Sequence, residues 1–348
     1  MTNHKLQRQL DRRSRMQVAV LVTFVGLLPL MVGAYFLKRA VAPVAEEPYV
    51  KLFAATFMGI FLEAMPFLLL GSLLAGFIEV FVSPELLLKL TPRRKFTQLL
   101  VGACVGVCFP VCECGVVPVV RRLLRKGLPL RMTVAYLLAA PIVNPVVILS
   151  TILAFKNSPA ALTMPLLRVG VGVSVAMTVG AIVGGMSALR KGFAVENEHA
   201  NHHQHDHVRD PVRRRIVHAL EHAVKEFFDI SRYLMMGAAA AALFQILVPR
   251  EAIMVMGQTP GLSVFVMMSL AVILNLCSEA DAFVAASFTQ FSFASKLSFL
   301  VLGPMFDIKL LILYFSVFRN RFIVRLVAAI LVLVFAVCTL MGVFYSVG

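Results

Sequence analysis

Nine long apolar stretches, at about 17–37, 52–82, 97–120, 129–155, 162–189, 231–248, 262–290, 296–318 and 322–346, run through this 348-residue sequence. A membrane-spanning helix needs roughly 20 apolar residues, and most of these stretches reach that length. Hydrophobic residues make up 59% of the chain and charged ones 15%, whereas about 25% are charged in an ordinary soluble domain. Such a chain could not hide its apolar surface in water. A soluble enzyme, a disordered chain and a nucleic-acid-binding module are thereby excluded, and the expected class is an all-α polytopic integral membrane protein.

The net charge of +15 does not reopen the nucleic-acid reading, because the basic residues sit in short clusters between apolar stretches. They are Arg8, Arg12, Arg13 and Arg15; Arg93, Arg94 and Lys95; Arg121, Arg122, Arg125, Lys126 and Arg131; Arg213, Arg214 and Arg215; and Arg319, Arg321 and Arg325. Cytoplasmic loops beside spans have this character. Stretch 17–37 lacks a small-residue cleavage site after it, so it reads as a retained first helix with the N-terminus inside.

Two stretches are interrupted. Segment 97–120 contains Cys112-Glu113-Cys114-Gly115 and Pro118, and segment 262–290 contains Cys277-Ser278-Glu279-Ala280-Asp281. Carboxylates are expensive in lipid, so neither suits an unbroken helix. If both are re-entrant hairpins, every basic cluster falls on the cytoplasmic side; if both cross fully, the Arg121–Arg131 and Arg213 clusters face outward. The charge distribution favours about seven spans plus two hairpins; nine full spans is the alternative.

The interruptions also belong to an internal repeat. A shift of 166 places Glu63 on Asp229, Gly71 on Gly237 and Glu85 on Glu251. A shift of 165 places Cys112 on Cys277, and one of 163 places Pro141 on Pro304 and Asn144 on Asp307. Each copy then holds three true spans, and an odd number makes the second copy run upside down. Inverted repeats with broken helices meeting near the midplane are an architecture of secondary transporters. The chain divides into an N-terminal helix and linker (1–50), a first repeat (51–190), a His-rich cytoplasmic loop (191–215) and a second repeat (216–348). Residues 212–230 read as an amphipathic surface helix ahead of the span at 231–248.

The chemistry expected at the centre follows from residue type. Cys104, Cys108 and Cys112 recur every four residues, which aligns them on one face if the segment is helical. Cys112 and Cys114 flank Glu113 at the break, and Cys277 is the repeat partner of Cys112. Thiolates take soft or borderline ions such as Cu(I), Zn(II) or trivalent arsenic. Cys112, Cys114, Cys277, Glu279, Asn144 and Asp307 are therefore the candidate substrate ligands. Glu113, Asp281, Glu63 and Asp229 are candidate proton-coupling carboxylates, or else are ion-paired with Arg121, Arg122, Arg232 or Lys309. His202, His203, His205 and His207, beside Asp206, form a tract of metal-binding composition. No nucleotide-binding loop occurs in the sequence, so an ion gradient or a partner must drive transport. No tightly bound cofactor is expected beyond a transported or regulatory metal ion.

Val111-Cys112-Glu113-Cys114-Gly115-Val116-Val117-Pro118, with Arg122-Leu123-Leu124-Arg125-Lys126-Gly127 after it, resembles the permease family that includes ArsP and YraQ. Ala140-Pro141-Ile142-Val143-Asn144-Pro145 and Leu276-Cys277-Ser278-Glu279-Ala280-Asp281-Ala282 extend the resemblance to roughly residues 50–320 and look most like its YcgR-type branch. The resemblance implies a bacterial inner-membrane permease and, as a partner, a second membrane subunit of YcgQ type; a homodimer is the other assembly considered. ArsP-type members export trivalent organoarsenicals with cysteines, which points to Cys112 and Cys114 as ligands. The Cys-Glu-Cys sequence, the Cys-Ser-Glu-Ala-Asp partner motif and the His-rich loop differ from those exporters and leave a metal cation such as zinc open as an alternative substrate.

The leading expectation is a gradient-driven efflux permease for a soft or borderline metal ion or metalloid. The alternative is a membrane sensor or scaffold subunit that reports metal or redox state to a partner without transport. An intramembrane enzyme with Cys112 as nucleophile lacks a histidine in any central segment to act as its base.

Overall fold

The computed structural model describes residues 48–108, 111–158, 161–185, 212–247 and 260–346. The expected first span and the histidine tract lie outside the described residues. Thirteen α-helices occur among those described, with no strand. They are α1 (Pro48–Phe81), α2 (Pro84–Leu90), α3 (Lys95–Val105), α4 (Glu113–Arg125), α5 (Leu130–Val143), α6 (Pro145–Phe155), α7 (Thr163–Val183), α8 (Val212–Leu247), α9 (Pro260–Leu274), α10 (Asp281–Ser287), α11 (Phe293–Leu302), α12 (Ile308–Val317) and α13 (Asn320–Ser346). A short 3₁₀ turn, Gly106–Cys108, follows α3.

Five helical stretches are long and apolar enough to cross a membrane: Val50–Phe81, Leu130–Phe155, Thr163–Val183, Arg213–Gln245 and Asn320–Val343. Their outer faces carry apolar side chains such as Leu166, Val324 and Val332, as a lipid-facing surface requires. The chain is thus a polytopic membrane protein, and α3, α11 and α12 are shorter apolar helices beside these spans.

The order of elements repeats. Helices α1, α3, α4, α5, α6 and α7 are followed in the same sequence by α8, α9, α10, α11, α12 and α13. Packing repeats with them: α3 lies on α5 as α9 lies on α11, and α5 lies on α7 as α11 lies on α13. Equivalent helices also pair with each other, α1 with α8 and α7 with α13.

Close approaches at glycines reveal the helix directions. Gly102 of α3 abuts Met132 of α5, and Gly106, just beyond α3, abuts Ala140, so α3 and α5 run in parallel. Gly71 of α1 abuts Gly115 at the start of α4, while Lys126 after α4 donates to the carbonyls of Glu79 and Val82 at the end of α1, at 2.8 and 2.7 Å. Helices α1 and α4 therefore run in parallel too. Gly180 and Gly184 of α7 meet Arg131 at the start of α5, and Gly180 also meets Leu99 of α3. The start of α3 and the turn after α4 thus share one level, the basic face, and segment 95–125 enters and leaves by it. The second hairpin opens toward the far face: Ser263 of α9 is hydrogen-bonded to Ser295 of α11, and Ser298 of α11 donates to the carbonyl of Val264.

After each of the two helix breaks, between α5 and α6 and between α11 and α12, the helix restarts on a short polar side chain. Asn144 stands between Val143 and Pro145, where the following proline disfavours helical backbone, and its Oδ1 accepts from the Val146 amide at 3.0 Å. Asp307 does the same for the Leu310 amide. These N-caps satisfy donors that have no water to turn to.

Two local expectations are corrected. The amphipathic helix at 212–230 and the span at 231–248 are one continuous helix of 36 residues, α8; no Gly or Pro falls between them to interrupt it. The alignment of Cys104 with Cys112 fails because α3 ends at Val105: Cys104 is exposed and Cys112 buried.

Candidate functional site

The two hairpin tips meet in the interior. Cys112, the residue before α4, and Cys277, in the break before α10, are buried, as is Glu113. A sulfur from each cysteine and a carboxylate oxygen of Glu113 all lie within 4.8 Å of one another. The two thiols therefore face each other and the Glu113 carboxylate across the contact of the tips. Cys114, a buried free thiol, and Glu279 are close electrostatic neighbours of this trio. The structure therefore brings together Cys112, Cys114, Cys277, Glu113 and Glu279.

The geometry explains why these residues converge. Ser278 donates to Glu113 at 3.1 Å. Glu113 and Ser278 are separated by 165 residues, the same offset that relates Cys112 to Cys277. Residues related by the sequence offset of the repeat thus touch each other here.

A cation completes the cluster. Lys309, in the first turn of α12 and 2% exposed, places its Nζ 3.0 Å from Glu113 Oε1 and 3.6 Å from Asp307 Oδ2. Asn275, in left-handed backbone (φ 54), turns its amide nitrogen toward both Asp307 carboxylate oxygens at 2.9 Å. Charges this deeply buried are tolerable only when paired and hydrogen-bonded.

A second buried network stands beside the first. Arg168 of α7 donates to Asp281 Oδ2 at 2.7 Å, to Thr151 Oγ1 at 2.8 Å and to the Ser278 carbonyl at 3.3 Å. A third lies toward the basic face. There Arg121 and Arg122 of α4 reach Glu226 of α8 at 2.9 and 2.7 Å, and Arg122 reaches Glu79 at 3.4 Å.

The other candidates lie elsewhere. Asn144 is buried and caps α6. Asp229 lies 3.7 Å from Arg121 and 4.0 Å from Arg232 at a half-exposed position. Glu63 is on the exposed face of α1. His202, His203, His205 and His207 fall outside the described residues. The sequence reading missed Arg168, Thr151, Ser278 and Asn275 as members of the buried networks. Arg168 had a signal: it is the one charged residue between positions 163 and 183, and a lone cation inside an apolar span needs a buried partner.

Known proteins are similar to this chain over most of its length. A family described as predicted permease matches residues 50–345. The UPF0718 protein YcgR of Bacillus subtilis is 40% identical over 281 residues, covering 80% of this chain and 93% of its own length. A Streptococcus mutans protein named "Putative two-component membrane permease complex subunit" is 39% identical over 290 residues, covering 83% of this chain and 94% of its own. No solved structure matches. A family match across nearly all of the described helices, on an all-helical membrane fold with an internal repeat, places the chain: it belongs to the predicted-permease family of multi-pass membrane proteins.

Proposed function

We propose that this chain is a gradient-driven permease exporting a soft or borderline metal ion or metalloid across the bacterial inner membrane. One observation carries the reading: two cysteine sulfurs and a carboxylate from two different hairpin tips converge within 4.8 Å at the centre of the molecule. Sulfur favours soft cations and trivalent arsenic over sodium or magnesium, and irregular backbone at membrane depth is tolerated where it lines a transport site. Cys112, Cys277 and Glu113 are the first ligands, with Cys114 and Glu279 beside them.

Lys309 gives the site a way to exist empty. Its ammonium neutralises Glu113 when no substrate is present, and an arriving cation that binds Glu113 displaces it toward Asp307. Asp281 and Asp307 are the carboxylates best placed for proton coupling; the ion pairs of Asp229 and the exposed position of Glu63 favour them less. The basic face belongs in the cytoplasm with the N-terminus, where the histidine tract collects metal at the mouth. The name of the Streptococcus mutans relative supports assembly with a second membrane subunit.

The test is cellular accumulation of a panel of metals and metalloids, read by mass spectrometry in a deletion strain. The complementing variants are wild type, Cys112→Ser/Cys277→Ser, and a chain lacking residues 199–207. Export predicts that one element rises in the deletion and that the double cysteine variant fails to lower it. If no element changes, the metal reading fails. Metal-dependent flux into vesicles by the purified chain separates a permease from a sensor subunit.

A further inference from the structure

Cys112 and Cys277 occupy the same place in the two hairpins. Each is the residue that heads a helix. The Cys112 carbonyl accepts from the amides of Gly115 and Val116, both at 3.1 Å, and the Cys277 carbonyl from those of Ala280 and Asp281, both at 3.0 Å. Neither cysteine lies within a helix itself: Cys112 is in extended backbone (φ −73, ψ 175), and Cys277 is in the break between α9 and α10. Their side chains reach toward each other from opposite tips, and both are buried free thiols. Cys114, the other buried thiol near the tips, is not part of the mutual contact of Cys112, Glu113 and Cys277.

The separation admits a bond. The two sulfurs lie within 4.8 Å of each other, and a disulfide is about 2.05 Å long, so they need to approach by less than about 3 Å. A change of rotamer at one or both χ1 angles covers such a distance, and the irregular backbone on both sides sets no helical geometry against it. Disulfides inside mesophilic cells are mostly transient and redox-sensing. A thiol that reacts with an oxidant becomes a disulfide when a second thiol stands beside it, which is how these two are placed.

We propose that Cys112 and Cys277 are a redox pair, oxidised by a peroxide to a disulfide that ties the two repeats together at their tips. One thiol attacks the O–O bond of hydrogen peroxide and takes up oxygen as a sulfenic acid, while a first water leaves. The second thiol displaces that hydroxyl as a second water, and the S–S bond forms. The two thiols together give up two electrons and two protons, and the peroxide is reduced to two waters. Both sulfurs are buried with the tips in contact, so the reaction proceeds when the tips part and admit the small, uncharged oxidant. The product removes both sulfur ligands from the central site and holds the tips together. The effect on transport rests on the reading above, whereas the bond needs only the contact of the tips.

The test uses the full chain in membranes, in a Cys104→Ala/Cys108→Ala/Cys338→Ala background with a specific protease site inserted after Gln204. Hydrogen peroxide is added, the remaining thiols are blocked with a maleimide, the chain is cut, and the halves are run on a denaturing gel without reductant. Peroxide should raise the joined fraction at least fivefold, and dithiothreitol should return it to two halves. Cys112→Ser and Cys277→Ser should each abolish the joining, and Cys114→Ser should keep it. Where one of the first two variants does not accumulate, the other carries the result. Halves that separate after peroxide, halves that stay joined in Cys112→Ser or Cys277→Ser, or joining that is lost in Cys114→Ser, overturn the pair. Cadmium added beforehand should lower the joined fraction at least fivefold by occupying both sulfurs. Joining that cadmium does not affect leaves the disulfide standing and refutes the thiol–metal site. An element panel that responds while the halves never join refutes the redox pair alone.

Discussion

Lys309 is the residue on which the centre is balanced. It faces Glu113 and Asp307 at 3.0 and 3.6 Å with almost no exposure. Removing one partner of a buried pair costs about 3–5 kcal/mol, because the remaining charge is stranded. Lys309→Met should therefore lower the melting temperature of the detergent-solubilised protein sharply, and Lys309→Met/Glu113→Gln should recover much of the loss. A thiophilic divalent cation should stabilise Lys309→Met more than it stabilises the wild type, since it replaces the missing charge. Equal stabilisation of the two would show that the cation binds away from Glu113. The cysteines were legible in the sequence because a Cys-x-Cys beside a carboxylate is rare within an apolar stretch. Lys309 was legible as one of four candidate ion-pair partners for the carboxylates, but not as the partner of Glu113 in particular, because the two lie 196 positions apart and no local pattern announces a contact of that range.

At the scale of the element, the hairpins and broken helices depend on close backbone approach. A Cβ at Gly71 would fall on the backbone of Gly115, which cannot rotate away as a side chain can. Gly71→Ala should cost about 1–3 kcal/mol through overpacking, seen as a lower melting temperature in detergent. Gly59 in the same helix has open space around it, so Gly59→Ala should be silent; an equal loss at both would remove the packing explanation. Asp307→Ala takes away an N-cap, worth about 0.5–2 kcal/mol, and also one of the carboxylates facing Lys309, so it should exceed Asn144→Ala in the same assay. The helix breaks could be read from Pro141, Asn144, Pro304 and Asp307 because proline and short polar residues act on their own neighbours. The fusion of the two segments within 212–247 could not, since an abrupt change from charged to apolar composition looks like a boundary although the backbone runs through it.

For the whole molecule, the arrangement of basic clusters and the geometry of the first hairpin make one topological statement. Segment 95–125 leaves by the face it entered, and the start of α8 shares that face, since Lys126 donates to the carbonyls of Glu79 and Val82 and Arg215 to that of Val80. Reporter insertions after Gly127 and after Gln204 should both behave as cytoplasmic, fluorescent with a green fluorescent protein and inactive with an alkaline phosphatase. Periplasmic behaviour at both positions would mean that the segment crosses. Hydropathy alone gave nine segments; it took charge placement to decide which of them turn back, because a re-entrant half-helix and a short span have the same composition.

The contacts between Cys112 and Cys277 and between Glu113 and Ser278 have a consequence for origin. Where residues related by a repeat touch each other, they straddle the axis. In an undiverged pair of halves, each such contact would join two copies of a single residue. Two cysteines can share that position as well as one can, and they still do. Two glutamates would repel at the same spot, and there the halves now differ, with a hydroxyl set against the acid. An ancestor assembled from two half-length chains in opposite orientations would have been confined to self-tolerant side chains at its centre. Halves joined in one chain are free of that restriction, and here Glu113 faces Ser278 and Lys309 rather than a second acid.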